Sequence, residues 1–207
     1  MSEYRELKEH VVRGDEGRVV SQIETMLNRD VNPLDIIQKG LVVGMGIVGD
    51  KFSIGEMFVP EVLMSARAMN AGMDLIKPHI DEKDIPNIGT AVIGTVKGDL
   101  HDIGKNLVTM MMETAVFKVI NLGCDVPKDK FVSAAKENNA DIVGMSAMLT
   151  TTMTYMDDII EACKEAGIET QYMIGGAPIT PEYANKIGAV YTADASSAAN
   201  KAKELVE

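Results

Sequence analysis

From Asn87 onward, short apolar runs alternate five times with helical segments, and no other feature of the chain narrows its fold so far. Strands are expected near residues 89–96, 117–121, 141–146, 170–174 and 189–191. Pro127 and Pro181 stand where helices should begin, and Gly167 stands where one should stop. Short loops between repeated strand–helix units imply a parallel, doubly wound sheet, so the expected class is α/β. Of the 207 residues 46% are hydrophobic, enough for the core that such a sheet requires.

The first 78 residues show no strand pattern. They read as four amphipathic helices: Ser2 to Arg13, Asp15 to about Arg29, a third opened by Asn32-Pro33 and carrying Ile36, Ile37, Val43 and Ile47, and a fourth from about Phe58 to Lys77. Adjacent short helices of this kind suggest a small bundle. Pro78 to Pro86 is charged and bounded by prolines, which marks a linker. The expected organisation is a helical cap domain at 1–78, a linker at 79–88 and a sheet domain at 89–207.

No apolar run approaches the length of a bilayer span, and the N-terminus lacks the basic flank and apolar core of a signal peptide, so a cytoplasmic protein is expected. The net charge is −11 and both halves are acidic, which argues against a nucleic-acid partner. Cys124 and Cys163 are too few for a four-thiolate metal site and read as idle or buried thiols.

Asp99-Leu100-His101-Asp102-Ile103-Gly104 lies where the first strand gives way to a helix, at the edge of an open sheet where ligands bind. His101 is a candidate metal ligand. Asp99 can accept its second ring N–H, fixing the tautomer and making the other nitrogen more basic. A loop histidine alone is more often a structural hydrogen-bonder. Two further elements change that weighing: Ser146-Ala147-Met148 follows Gly104 after 41 residues, and Gly175-Gly176 follows after 26 more, each at the end of its own strand.

This spacing resembles the Asp-x-His-x-x-Gly, Ser-x-Leu, Gly-Gly signature of cobalamin-binding domains, such as the module of cobalamin-dependent methionine synthase. The chain is most similar to the small corrinoid proteins that carry methyl groups in methylamine, methanol, betaine and aryl-ether methyltransferase systems. The resemblance implies a Rossmann-like, flavodoxin-like five-stranded parallel sheet behind a four-helix bundle cap. It implies a base-off corrinoid with His101 as lower axial ligand to cobalt, and a relay of Asp99, His101 and Thr152. It also implies that Asp102, Ile103 and Gly104 lie in the cofactor loop. Ser146 and Thr150 would bond the nucleotide tail, Met148 would pack on it, and Gly175, Gly176 and Ala177 would let backbone approach it closely. The threonines at 150–152 also read as caps for a helix beginning near Met153. Gly49 to Pro60 resembles the cap segment, with Phe52 and Val59 over the upper face of the ring; both also read as core residues. Met110 to Met112 reads as core.

Two other strings fail in context. Gly44-Met45-Gly46-Ile47-Val48-Gly49 matches a dinucleotide fingerprint but falls near the end of a helix, where glycines serve close packing or a flat ligand. Gly98 to Lys105 has one residue too many for a phosphate loop, and Asn106 stands in place of Ser or Thr.

The resemblance implies that the chain shuttles a methyl group from a substrate-specific methyltransferase to a second one acting on coenzyme M or tetrahydrofolate, with a reductive activator as a further partner. It would be a methyl-carrying subunit, not expected to turn over alone. Two alternatives stay open: a cobalamin-sensing regulatory module, against which stands the lack of a DNA-binding segment before the bundle, and the small subunit of an adenosylcobalamin mutase.

Overall fold

The computed structural model describes residues 2–84 and 86–206; Met1, Ile85 of the expected linker and Glu207 lie outside it. Met1–Pro86 with Thr114–Val116 form one compact unit, and Asn87–Glu113 with Phe117–Glu207 form the other.

The helical unit comprises α1 (Ser2–Val12), α2 (Glu16–Leu27), α3 (Pro33–Asp35), α4 (Val43–Ser53) and α5 (Val59–Ile76). Local chemistry sets the helix starts. The Asp15 carboxylate accepts from the Arg18 N–H at 3.1 Å, the Asn32 side chain from the Leu34 N–H at 2.9 Å, and the Glu61 carboxylate from the Phe58 N–H at 2.8 Å. The third expected helix is continuous but not uniform: Ile36–Val42, between α3 and α4, is π-helical. Leu7, Ile23, Met26 and Leu41 are fully buried in this unit. Glycines let its helices approach. A Cβ at Gly44 would lie 2.9 Å from the Val11 Cβ, and one at Gly72 would lie 2.7 Å from the Ile23 Cδ1. The glycine string at 44–49 is therefore helical, with Gly44 at a packing contact.

The second unit is a five-stranded parallel sheet: β1 (Thr90–Thr95), β2 (Lys118–Asn121), β3 (Ile142–Ser146), β4 (Gln171–Gly175) and β5 (Val190–Tyr191). The order is β2-β1-β3-β4-β5, the flavodoxin-like winding expected of the sequence. Helices α6 (Ile103–Thr114), α7 (Lys128–Glu137), α8 (Tyr155–Glu165), α9 (Pro181–Ile187) and α10 (Ala195–Val206) connect and follow the strands. Val92, Val143, Phe131, Ile160 and Ile174 form part of the core. Gly94 makes room for the Phe131 ring, since a Cβ there would lie 2.6 Å from Cζ. Val116 ends α6 at φ +62, a left-handed position that glycine usually fills, and the Phe117 N–H to Met112 C=O bond closes that turn at 3.0 Å.

Register positions the site. Thr95 pairs with Ser146 and Ser146 with Gly175, so the carboxyl ends of β1, β3 and β4 finish level. The winding reverses between β1 and β3, which puts the crevice of an open sheet above these ends.

Cys163 is fully buried and burial pushes its thiol up, while Cys124 is partly exposed. The native protein should react with one equivalent of a thiol reagent at neutral pH, and with two after denaturation. Two rapid equivalents from the native protein would contradict the burial of Cys163.

Candidate functional site at the carboxyl edge of the sheet

The loop between β1 and α6 is organised around Asp99, which has no solvent exposure. One carboxylate oxygen accepts from the His101 N–H at 3.1 Å and faces the His101 Nδ1 at 2.6 Å. The other accepts from the Met148 N–H at 2.7 Å and the Thr152 hydroxyl at 2.9 Å. Burial alone would raise the carboxyl pKa. The Met148 N–H, the His101 ring and N–H, and the Thr152 hydroxyl outweigh it and hold Asp99 well below the usual carboxylate range. An ionised acceptor favours the tautomer with its proton on Nδ1, in which Nε2 is the nitrogen free to coordinate. The His101 side chain is 56% exposed. A buried anion thus orients an accessible imidazole nitrogen.

The other expected residues gather at the same edge of the sheet unit, with Phe52 and Val59 as exceptions. Ser146 ends β3, half-buried, and Ala147-Met148 continues the loop, with Met148 41% exposed. Thr150 is exposed. Thr152 is buried, and its hydroxyl serves Asp99 and the Leu149 carbonyl while α8 begins at Tyr155, so it is not the cap of a helix starting at Met153. Gly175 ends β4 and Gly176 follows at φ +129. A Cβ at Gly176 would lie 1.9 Å from the Ala147 carbonyl oxygen. Ala177 is exposed beside it. Asp102 accepts from the Asn106 amide at 2.9 Å, while Ile103 and Gly104 open α6 to solvent. Phe52, in the last turn of α4, and Val59, the first residue of α5, belong to the helical unit; Phe52 is half-buried and Val59 exposed.

Three supporting residues were not singled out from the sequence. The Thr95 hydroxyl donates to the His101 carbonyl at 2.9 Å. Asp125, at φ +53, accepts from the Gly98 N–H at 2.7 Å and donates its own N–H to the Asp99 carbonyl at 3.0 Å. Lys105 is 4% exposed and donates to the side-chain oxygens of Asn106 at 2.6 Å and Asn121 at 2.9 Å. Burial lowers its pKa, against the attraction of Cys124 and Asp102. Only Asp125 gave a sequence signal, as a turn-tolerant residue two positions ahead of a proline.

The donor set identifies the sort of group this edge can hold. Among the described residues no three His, Cys, Asp or Glu side chains come together as a metal cage, so a metal held here arrives with most of its own donors. Around His101 the side chains of Leu100, Ile103, Met148 and Leu149 are 77%, 82%, 41% and 43% exposed, and a Cβ at Gly104 would meet nothing within 4 Å. One imidazole among uncovered apolar side chains and glycines fits a flat macrocycle that needs a single axial donor.

Comparison with known proteins agrees. Residues 89–200 match a B12 binding domain and residues 3–77 match a second B12 binding domain family. The chain is 42% identical over 204 residues to trimethylamine corrinoid protein 1 of Methanosarcina acetivorans, covering 96% of this chain and 94% of that one. It is 43% identical over 206 residues to dimethylamine corrinoid protein 2 of the same organism, covering 98% and 95%. Among solved structures, it is similar to the methanol:cobalamin methyltransferase complex of Methanosarcina barkeri, with a TM-score of 0.89, 29% identity, and coverage of 99% of this chain and 80% of that one. A cobalamin-binding protein from Desulfitobacterium hafniense gives a TM-score of 0.82 at 29% identity, covering 97% of both chains. The chain belongs to the B12-binding family of corrinoid proteins.

Proposed function

We propose that the chain carries a methyl group on a bound corrinoid, between a substrate-specific methyltransferase and a second methyltransferase acting on coenzyme M or tetrahydrofolate. The observation that carries this reading is the buried Asp99 carboxylate, bonded to the His101 ring and leaving Nε2 on an exposed side chain at the switch point of the sheet. A bound corrinoid supplies the cobalt to which a methyl group can be attached and from which it can be removed.

His101 would supply the imidazole nitrogen that holds the cobalt of a base-off corrinoid from its lower side. Asp99 orients its ring and Thr152 supports Asp99, so a proton can be held or shared along that line. Asp102, Ile103 and Gly104 border the ring from the α6 side. Ser146 and Thr150 offer hydroxyls to the nucleotide tail, Met148 packs on it, and Gly175, Gly176 and Ala177 let backbone lie close to it. Phe52 and Val59 of the helical unit are the residues that would keep water from a bound corrinoid. The relatives named for trimethylamine and dimethylamine match this chain about equally well, which supports leaving donor choice to the partner enzyme. A reductive activator is a further partner, and cytoplasmic action fits such a carrier; no described helix is long and apolar enough to cross a membrane.

Electron paramagnetic resonance of the corrinoid-loaded protein in its Co(II) form tests the reading. With nitrogen-15 histidine the axial-nitrogen splitting should change from triplet to doublet, and His101→Ala should lose it. A triplet that ignores the label would mean that the cofactor's own base stays on cobalt. Failure to retain corrinoid at all would end the carrier reading.

A further inference from the structure

We infer that Thr95 is a positioning residue for the axial histidine: its buried hydroxyl, bonded to the His101 carbonyl, fixes the main chain from which the imidazole is presented. The inference rests on the reading of His101 as the cobalt ligand and extends it to a residue six positions earlier, at the end of β1.

Thr95 is the last residue of β1, where Ala91, Val92 and Ile93 before it and Val96 after it are all buried and apolar. A hydroxyl with no solvent exposure in such a run is unfavourable unless it is paired. The sheet does not need it. The Thr95 N–H already donates to the Gly123 carbonyl at 2.9 Å, and its carbonyl already accepts from the Val126 N–H at 3.0 Å. Valine has the same shape and suits a strand better. The hydroxyl's partner is the His101 carbonyl, six residues on, at 2.9 Å.

The effect is on the histidine as a whole. Its N–H is held by Asp99, its Nδ1 by the same carboxylate, and its carbonyl by Thr95, so among the described residues every polar group of His101 except Nε2 is engaged. Asp99 sets the ring and its tautomer. Thr95 sets the backbone, and without it the Leu100–Asp102 segment regains freedom that ligation must then remove. A donor arranged before the metal arrives competes better against any free ligand.

Corrinoid-loaded full-length protein carrying nitrogen-15 histidine, in its Co(II) form, provides the test. Imidazole of natural isotope abundance is added, and replacement of the protein's histidine turns the doublet into a triplet. In Thr95→Val the imidazole concentration at half exchange should fall about ten-fold, the scale expected for loss of one buried hydrogen bond. Thr95→Ser, which keeps the hydroxyl, should exchange as the parent does. Thr95→Ala removes the same group and replaces the valine variant if that one does not fold. Exchange at the parent's imidazole concentration in a folded hydroxyl-less variant would overturn the inference, even if its Tm fell, because a merely structural hydroxyl would move Tm alone. Absence of a doublet in the parent protein would instead overturn the assignment of His101, a separate failure.

Discussion

Replacing Gly176 with alanine should lower Tm by roughly 6–12 °C and abolish corrinoid retention. The added Cβ would sit 1.9 Å from the Ala147 carbonyl oxygen, and that oxygen belongs to backbone that cannot rotate away. The residue is also at φ +129, where side chains are strongly disfavoured. A cost of about 3 kcal/mol or more follows, and in a chain of this length each kcal/mol moves Tm by roughly 2–4 °C. Relief requires the β4 loop to swing away from the β3 loop, which would separate two of the three segments forming the site. Gly167→Ala is the control. Gly167 has φ +69 but open space around it, so about 1 kcal/mol is expected. Thermal unfolding of both variants, with corrinoid retention read by absorbance, makes the comparison; a Gly176→Ala protein as stable as Gly167→Ala would refute the close approach.

Asp99→Asn should destabilise the apo protein by about 3 kcal/mol and weaken corrinoid retention 10- to 100-fold. The carboxylate accepts four hydrogen bonds, and an amide nitrogen in place of either oxygen turns toward donors. The pH dependence gives an independent check. Asp99 has a folded pKa well below its unfolded value, so its contribution to stability is complete above the ordinary carboxylate range. That contribution falls away as pH drops through the folded value. Asparagine does not titrate, so the gap in stability between parent and variant should narrow in strong acid. A constant gap from neutrality to the acid limit would show that the ionised form of Asp99 is not what the fold requires.

The strand pattern was legible because each β-strand is short, apolar and bounded by turn residues; the five strands start and stop within about a residue of their expected places. The Asp99–His101 contact was legible for a related reason, since two residues in an extended loop meet without help from the rest of the chain. What the sequence hid is non-local. Met148 and Thr152 reach Asp99 only because β3 lies beside β1, with about fifty residues between the partners. Spacing alone made Thr152 a helix cap, because hydroxyls ahead of a helix usually are; only the resemblance to cobalamin-binding domains implied a place for it beside Asp99, to which its hydroxyl donates. The π-helical stretch at Ile36–Val42 left no mark on apolar spacing, because a change of helical register still buries Ile36, Ile37 and Leu41. Val116 was hidden for the opposite reason: a β-branched residue is the last one composition would place at a left-handed turn.

The adjacency of β1 and β3 also orders events as the polypeptide folds. Asp99 and His101 are neighbours from the moment of synthesis, but the grip on the second carboxylate oxygen cannot exist until β3 has zipped onto β1 after a long loop closure. An unfolded or half-assembled chain therefore offers a histidine with at most its local Asp99 contact, and without the Met148 and Thr152 bonds that fix that carboxylate. If His101 is the ligand proposed above, cofactor capture would in this sense be a proofreading step, since only the finished sheet would present a prepared imidazole, and binding would in turn withdraw the finished form from the unfolding equilibrium.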